Sequence, residues 1–149
     1  MDVFKTFAKN PFHVGNVAGQ GQVVKMLNNF LSATAMAATS EAVLFGLSQG
    51  VEMKAILDVV NVSTGMNTAT LDKFPNQVMT ENFNAGFFTK LLAKDVRLFR
   101  ENTDKAGTPN AIGTMISKIY DGCEEALPGS DFTNVYKFIC DGGEKKTLG

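Results

Sequence analysis

The stretch from Met26 to Val51 carries a single charged side chain, Glu41. Within Gly21–Gln49, small and apolar residues recur every three or four positions, the period of an α-helix: Val24, Leu27, Leu31, Ala35, Ala38, Ala42 and Phe45. At 1.5 Å per residue this helix is about 43 Å long, and Gly50 is placed to cap its end. Because a helix that is uncharged on all sides is buried on most sides, the sequence predicts one long central helix.

Shorter helical segments follow this helix, and glycines and prolines separate them. The predicted segments are Glu52 to about Val62, a piece capped by Asn67 or Thr68 and interrupted by Pro75, Phe87 or Phe88 to Lys105 with Gly107 as C-cap, Thr108–Leu127, and a last helix from the cap Asp131 to Cys140. Phe12-His13-Val14 is too short to form a sheet alone. The sequence therefore predicts an all-α fold, a helical bundle built around one long central helix.

Composition excludes several classes of function. The net charge of −1 provides no basic field for nucleic acid, and no uninterrupted apolar run reaches the roughly 18 residues of a membrane span. The cysteines, Cys123 and Cys140, lack a metal-like spacing, and His13 is the single histidine. We therefore expect a cytoplasmic protein with reduced thiols, no metal site, and neither nucleic acid nor membrane as a partner.

Lys25 and Asn29 are the first candidates for chemistry. They are four residues apart, so their side chains share one face of the predicted helix. An ammonium can transfer a proton to a substrate oxygen while a neighbouring amide orients the same substrate. Gly19 and Gly21 precede the pair and allow close approach of the backbone. From spacing alone, however, a lysine near a helix start is more often a solvated surface residue.

Lys94 and Asp95 lie in the middle of another predicted helix, in GFFTKLLAKDVRLF. The apolar face of this helix is predicted to consist of Phe87, Leu91, Leu92, Val96 and Phe99. On an amphipathic helix, adjacent opposite charges are usually exposed to water. The pattern alone therefore favours an exposed pair of charges here.

Three segments together resemble a known family: HVGNVAGQGQVVKMLNN, SEAVLFGLSQGV and NAGFFTKLLAKDVRLFRENTDKAGTP. They are similar to the C-terminal domain of the β-hydroxyacid dehydrogenases, which include 3-hydroxyisobutyrate dehydrogenase, tartronate semialdehyde reductase and, more distantly, 6-phosphogluconate dehydrogenase. The resemblance covers about residues 12–140. The pattern G-x-G-x-x-x-K-x-x-x-N followed by F-x6-K-D is specific as a combination, although each piece alone is not.

The resemblance implies a role for each matching residue. Lys25 is expected to be the catalytic acid or base, and Asn29 to hold the substrate, a small hydroxyacid or the corresponding semialdehyde. Lys94 and Phe87 are expected to contact the cofactor, NAD or NADP. Gly19 and Gly21 match the turn before the catalytic helix. The long helix would then fix the direction in which Lys25 points.

The resemblance also implies a domain that these residues do not supply. Complete family members begin with a Rossmann domain, which carries the dinucleotide glycine fingerprint. Residues 1–14 are expected to be a remnant of that domain or a linker, residues 15–142 the all-helical domain, and residues 143–149 a frayed tail. We expect the isolated chain to be inactive, with the missing Rossmann domain and a second copy of itself as partners.

Two other classes of function are compatible with the sequence. The chain could be a non-catalytic helical dimerisation or interaction module that kept the fold without its chemistry. A generic all-α ligand-binding protein fits less well, since it leaves the combined motifs as coincidence.

Overall fold

The computed structural model describes residues 9–148, and the apolar segment at residues 3–8 lies outside this range. The described elements are α1 (Gln20–Ser48), α2 (Met53–Val60), a π-helix (Ala69–Val78), α3 (Thr89–Ala106), α4 (Ala111–Ala126), a 3₁₀ turn (Phe132–Asn134), α5 (Val135–Cys140) and α6 (Gly143–Leu148). Between residues 9 and 148 the only β pairing is one isolated bridge, Phe88 with Asp131. The predicted all-α class is therefore confirmed for the described residues.

Helix α1 packs against α2, the π-helix, α3, α4 and α5, which confirms that it is the central element. Its inner face contributes Ala33, Met36, Ala37, Ser40 and Val43 to the core, each at most 1% exposed. The core is completed by residues from the surrounding helices, among them Phe74, Leu92, Val96, Ile119, Tyr120 and Val135.

The prediction that α1 is buried on most sides is wrong for the face opposite its inner, core-facing side. Most of the residues whose spacing predicted the helix lie on the surface, and Leu31 is 62% and Phe45 68% exposed. Glu41, which would need a partner if buried, is exposed as well. Because α1 carries its own apolar residues on all sides, their period alone does not determine which side packs against the core.

The composition of α1 also resembles that of a membrane-spanning helix. An 18-residue window of α1 has a mean hydropathy of 1.4, and 33% of that window is buried. A core helix of a folded domain passes the same test of length and composition, so the finding is weak evidence for a membrane. The inner face of α1 is occupied by the core in the described structure.

The side chains of Asn61 and Asn67 stabilise the start of the π-helix by hydrogen bonds. Asn67 Oδ1 accepts from the backbone N–H of Ala69 and of Thr70, at 2.8 and 3.2 Å, which confirms Asn67 as the cap. Pro75 lies inside the element and has no N–H to donate to the carbonyl five residues earlier, that of Thr70. Asn61 Nδ2 donates to that carbonyl instead, at 3.0 Å.

The other predicted boundaries are accurate to a few residues. Gly107 ends α3 with a left-handed φ of 67°, as a C-cap requires. Helix α4 begins at Ala111 with Asn110 as N-cap, two residues later than the predicted start at Thr108-Pro109. Asp131 begins the 3₁₀ turn by accepting from the N–H of Thr133, so the predicted cap is confirmed.

Residues 143–148 were expected to fray but form the short helix α6. This helix packs on α4, where a Cβ added at Gly122 would lie 2.6 Å from Thr147 Oγ1. The absence of a side chain at Gly122 therefore makes room for α6. This contact joins positions that are distant in sequence.

Glu81 and Phe83 adopt left-handed backbone conformations, with φ values of 56° and 46°. A side chain with a Cβ atom is strained there by about 1–2 kcal/mol, and asparagine is strained less. We expect Glu81→Asn to raise the free energy of unfolding by about 0.5–1 kcal/mol, measured by urea denaturation. Glu81→Ala is the matched control, since alanine keeps the strain. Equal stability of the two variants would contradict this account.

Candidate active site

The N-terminal end of α1 presents Lys25 and Asn29. The helix begins at Gln20 after Gly19, whose φ of 94° is readily accessible to glycine. Gly21 is the second residue of the helix, so Gly19 alone makes the turn. A Cβ at Gly19 would meet nothing within 4 Å, and one at Gly21 would meet only Val14, at 3.8 Å. The described chain therefore leaves this end of α1 uncovered.

Lys25 and Asn29 converge on one oxygen of Asp95, which lies on α3. Asn29 Nδ2 donates to Asp95 Oδ2 at 2.7 Å, and Lys25 Nζ lies 3.2 Å from the same oxygen. The side chain of Lys25 is 51% exposed and that of Asp95 only 2%. One buried carboxylate thus fixes an ammonium and an amide side by side at the surface.

Lys94 contacts the second oxygen of the same carboxylate. Its Nζ lies 3.0 Å from Asp95 Oδ1, and its side chain is 53% exposed. This contact is ionic and lacks hydrogen-bond geometry, because Oδ1 has no hydrogen-bond partner among the described residues. Two half-exposed ammonium groups therefore flank one buried carboxylate.

The charge on Asp95 is maintained by its neighbours. Burial raises the pKa of this carboxyl. The contacts with Lys94, Asn29 and Lys25 lower it by more than burial raises it, so the pKa lies below the ordinary aspartate value. An ionised Asp95 accepts the hydrogen bond from Asn29 and attracts the ammonium of Lys25, whereas a protonated carboxyl would carry no charge to pair with Lys25. The arrangement is therefore stable at neutral pH.

Phe87 lies apart from this cluster in its described contacts. Its ring packs edge-on against Phe132, with centroids 6.2 Å apart. Asp131 holds the loop before α3 by accepting from the backbone N–H of Gly86 and of Phe87, at 2.9 and 3.1 Å. The structure thus brings together Lys25, Asn29 and Lys94, while Phe87 is positioned by a separate anchor.

Asp95 is the residue whose importance the sequence pattern did not reveal. The pattern favoured an exposed pair of charges, but only Lys94 is exposed and Asp95 is 1% exposed. A signal was present, because Asp95 lies three residues after Leu92 and four before Phe99, on the inward face of α3. A carboxylate on an apolar face requires a partner, and its partners are on α1.

Comparison with known proteins shows the family of this chain. Residues 19–139 match a family model described as the NAD-binding domain of NADP-dependent 3-hydroxyisobutyrate dehydrogenase. The chain belongs to this family. The match covers the turn at Gly19, the Lys25–Asn29 pair, the Lys94-Asp95 pair and most of the helical core.

Individual dehydrogenases of the family match over most of the chain. Mitochondrial 3-hydroxyisobutyrate dehydrogenase of Mus musculus is 28% identical over 145 residues, which cover 93% of this chain and 43% of that protein. NAD-dependent L-serine dehydrogenase of Pseudomonas aeruginosa is 31% identical over 124 residues, 79% of this chain and 41% of that protein. The chain thus spans less than half the length of these relatives.

A solved structure of the family shares the fold. Mycobacterium tuberculosis 3-hydroxyisobutyrate dehydrogenase, determined with L-serine, superimposes with a TM-score of 0.83 at 26% sequence identity. The match covers 93% of this chain and 49% of that one. The helical architecture is therefore that of a dehydrogenase domain, and the chain is a dehydrogenase-family domain by sequence and by fold.

Proposed function

We propose that this chain is the proton-transferring half of an NAD(P)-dependent dehydrogenase of short 3-hydroxy acids, with Lys25 as the acid and base. The observation that supports this most strongly is the convergence of Lys25 Nζ and Asn29 Nδ2 on Asp95 Oδ2, at 3.2 and 2.7 Å. The buried carboxylate holds a half-exposed ammonium beside an amide in one position, as a pre-organised acid or base requires.

The proposed reaction removes two hydrogens from a secondary or primary alcohol. In the oxidative direction, Lys25 as the free amine takes the hydroxyl proton, and the carbon–hydrogen bond breaks as a hydride leaves. In the reductive direction, the ammonium of Lys25 returns the proton to the carbonyl oxygen. A bound nicotinamide supplies the redox chemistry by accepting or giving that hydride.

Asn29 and Asp95 orient the reacting groups in this proposal. One N–H of the Asn29 amide donates to Asp95, and its second N–H remains for a substrate oxygen. Asp95 accepts from Asn29 and forms an ion pair with Lys25, so it holds both side chains beside each other. Such positioning lowers the entropic part of the barrier.

The fit to a nicotinamide cofactor is partial. Lys94 is half exposed beside the proposed site, and its ammonium suits a polar group of a dinucleotide. The 149-residue sequence contains no dinucleotide glycine fingerprint. We therefore propose that Lys94 and Phe87 contribute to a site whose main part is a Rossmann domain outside this chain, and that the isolated chain is inactive.

The substrate class follows from the names of the relatives. Both 3-hydroxyisobutyrate and L-serine are short acids with a hydroxyl on the β carbon, C3 when the carboxyl carbon is C1. We propose that the substrate of this chain has the same arrangement, with its hydroxyl at Lys25 and its carboxylate attracted by the ammonium group of Lys94.

The test is a fusion of this chain to the part of Pseudomonas aeruginosa L-serine dehydrogenase that precedes the matched region, hereafter the fused enzyme. We expect it to reduce NAD or NADP with L-serine or 3-hydroxyisobutyrate, followed by absorbance of the reduced cofactor. The isolated chain and the isolated cofactor half, as controls, should show no turnover, and the chain should give no heat of binding with either cofactor. Micromolar cofactor binding by the isolated chain would contradict the proposal that the main part of the cofactor site lies in a Rossmann domain outside this chain. A fused enzyme that binds cofactor but oxidises neither acid would contradict the catalytic role.

A further inference from the structure

A cleft of about 480 Å³ lies where the start of α2, the end of the π-helix and α5 meet. This π-helix cleft has one acidic and one basic residue in its lining, Glu81 and Lys137, and shares no lining residue with the Lys25 cluster. Its size is that of a site for a small molecule. The rest of its lining is apolar or aromatic: Met53, Val78, Met79, Phe83 and Tyr136.

The walls of the π-helix cleft are fixed by contacts within the domain. The Tyr136 ring packs edge-on against the buried Phe74, with centroids 5.6 Å apart. Gln77 Oε1 accepts from the backbone N–H of Asn84 at 2.8 Å, which holds the loop after the π-helix. Because these groups are already ordered, a ligand would bind without the entropic cost of ordering them.

Backbone strain is concentrated at this cleft. Glu81 and Phe83 are the two described non-glycine residues with a positive φ, and both line the cleft. Such strain is found at ligand sites, where it holds a side chain in a direction that a relaxed backbone would not give. Glycine or asparagine would relieve the strain but would supply neither a carboxylate nor a ring.

The two charged groups of the cleft have no ionic partner of their own. Neither Glu81 nor Lys137 forms an ion pair with the other or with any other described residue. Lys137 Nζ lies 3.8 Å from the centroid of the Phe83 ring, which holds the ammonium beside the cleft. The cleft therefore presents one carboxylate and one ammonium next to an apolar wall.

We propose that the π-helix cleft binds a free α-amino acid with an apolar side chain. The ammonium of the ligand pairs with Glu81, and its carboxylate pairs with Lys137. Its side chain lies against the thioethers of Met53 and Met79, which make favourable contacts with an aromatic ring. This binding site is separate from the proposed dehydrogenase site and does not depend on that activity.

Other small ligands match fewer of these groups. A hydrocarbon leaves both charges of the cleft without a partner. A simple carboxylic acid pairs with Lys137 but brings a like charge close to Glu81. The end of a peptide supplies one charge beside a neutral amide. A zwitterion pairs with both charged groups while its side chain covers the apolar wall.

The test is titration calorimetry of the whole 149-residue chain with L-phenylalanine. We expect saturable binding at one site with a Kd of about 1 mM or tighter. Glu81→Gln and Lys137→Met preserve side-chain length and should each weaken binding by about three- to tenfold, because each removes one charge pair. Glu125→Gln and Lys146→Met are the matched controls, since both residues are exposed and line a different cleft. Far-UV circular dichroism confirms that the four variants are folded.

Two blocked ligands test which charge meets which residue. N-acetyl-L-phenylalanine lacks the ammonium, so Lys137→Met should weaken its binding and Glu81→Gln should not. L-phenylalanine amide lacks the carboxylate, so the two effects should be reversed. The proposal is overturned if no saturable binding occurs up to the solubility limit of L-phenylalanine, or if all four variants bind equally. Binding that Lys25→Ala abolishes and Glu81→Gln leaves unchanged would also overturn it, because the amino acid would then occupy the Lys25 site.

Discussion

Lys25→Ala should lower turnover of the fused enzyme by about 10²–10⁴-fold, the usual contribution of a positioned acid or base. The loss should appear in kcat, because the substitution removes proton transfer while Asn29 and Asp95 stay in place. The free energy of unfolding should change by less than about 0.5 kcal/mol, since the Lys25 side chain is 51% exposed and fills no core volume. Initial rates with saturating cofactor and urea denaturation measure the two quantities.

Lys118→Ala is the matched control for this variant. Lys118 is also an exposed lysine on a helix, but it lies on α4 beside α6 and lines a different cleft. Its removal should leave kcat unchanged. Near-normal turnover of Lys25→Ala, or an equal loss in both variants, would refute the role assigned to Lys25.

Asp95→Asn should lower the free energy of unfolding by about 1–3 kcal/mol, because a buried charged acceptor is replaced by a neutral amide. The change leaves no cavity, as the two side chains are almost the same size. Lys25 and Lys94 are half exposed and regain water, which keeps the loss below that of a fully buried pair. Asp121→Asn is the control, since Asp121 pairs with Arg97 at the surface and should cost less than about 1 kcal/mol.

The pH dependence of this stability difference has a defined sign. The pKa of Asp95 is lower in the folded state than the ordinary value of about 3.9. Its contribution is therefore complete above the ordinary pKa and is lost as pH falls through the folded pKa. The stability gap between wild type and Asp95→Asn should close as pH falls below about 4. A gap that is constant with pH would show that Asp95 is not ionised in the folded state.

Local chemistry made several elements predictable from the sequence. The caps at Asp131 and Gly107 depend on side chains and backbone angles within a few residues, and both lie where they were expected. The run Met26–Val51, whose one charged residue is Glu41, makes up most of α1, and its composition identified the central helix. The four-residue spacing of Lys25 and Asn29 placed them on one face of the helix, and in the structure they share one partner.

The same reasoning did not predict contacts between residues that are distant in sequence. Burial of Asp95 depends on Lys25 and Asn29 in another helix, and the conformation around Pro75 depends on Asn61. The choice of core face in α1 depends on which neighbours pack on it, since apolar residues lie on both sides. In each case the deciding free energy comes from tertiary packing, which a local period does not encode.

Chemical rescue of Lys25→Ala in the fused enzyme tests the central claim most directly. If Lys25 Nζ transfers the proton, a small alkylamine in solution should occupy the space it leaves and restore part of the lost kcat in proportion to its concentration. The same amine should not raise kcat of the wild type or of Asn29→Ala, which retain the lysine. Failure of every small amine to restore kcat of Lys25→Ala, or an equal gain in kcat for Asn29→Ala, would contradict the assignment of Lys25 as the acid and base.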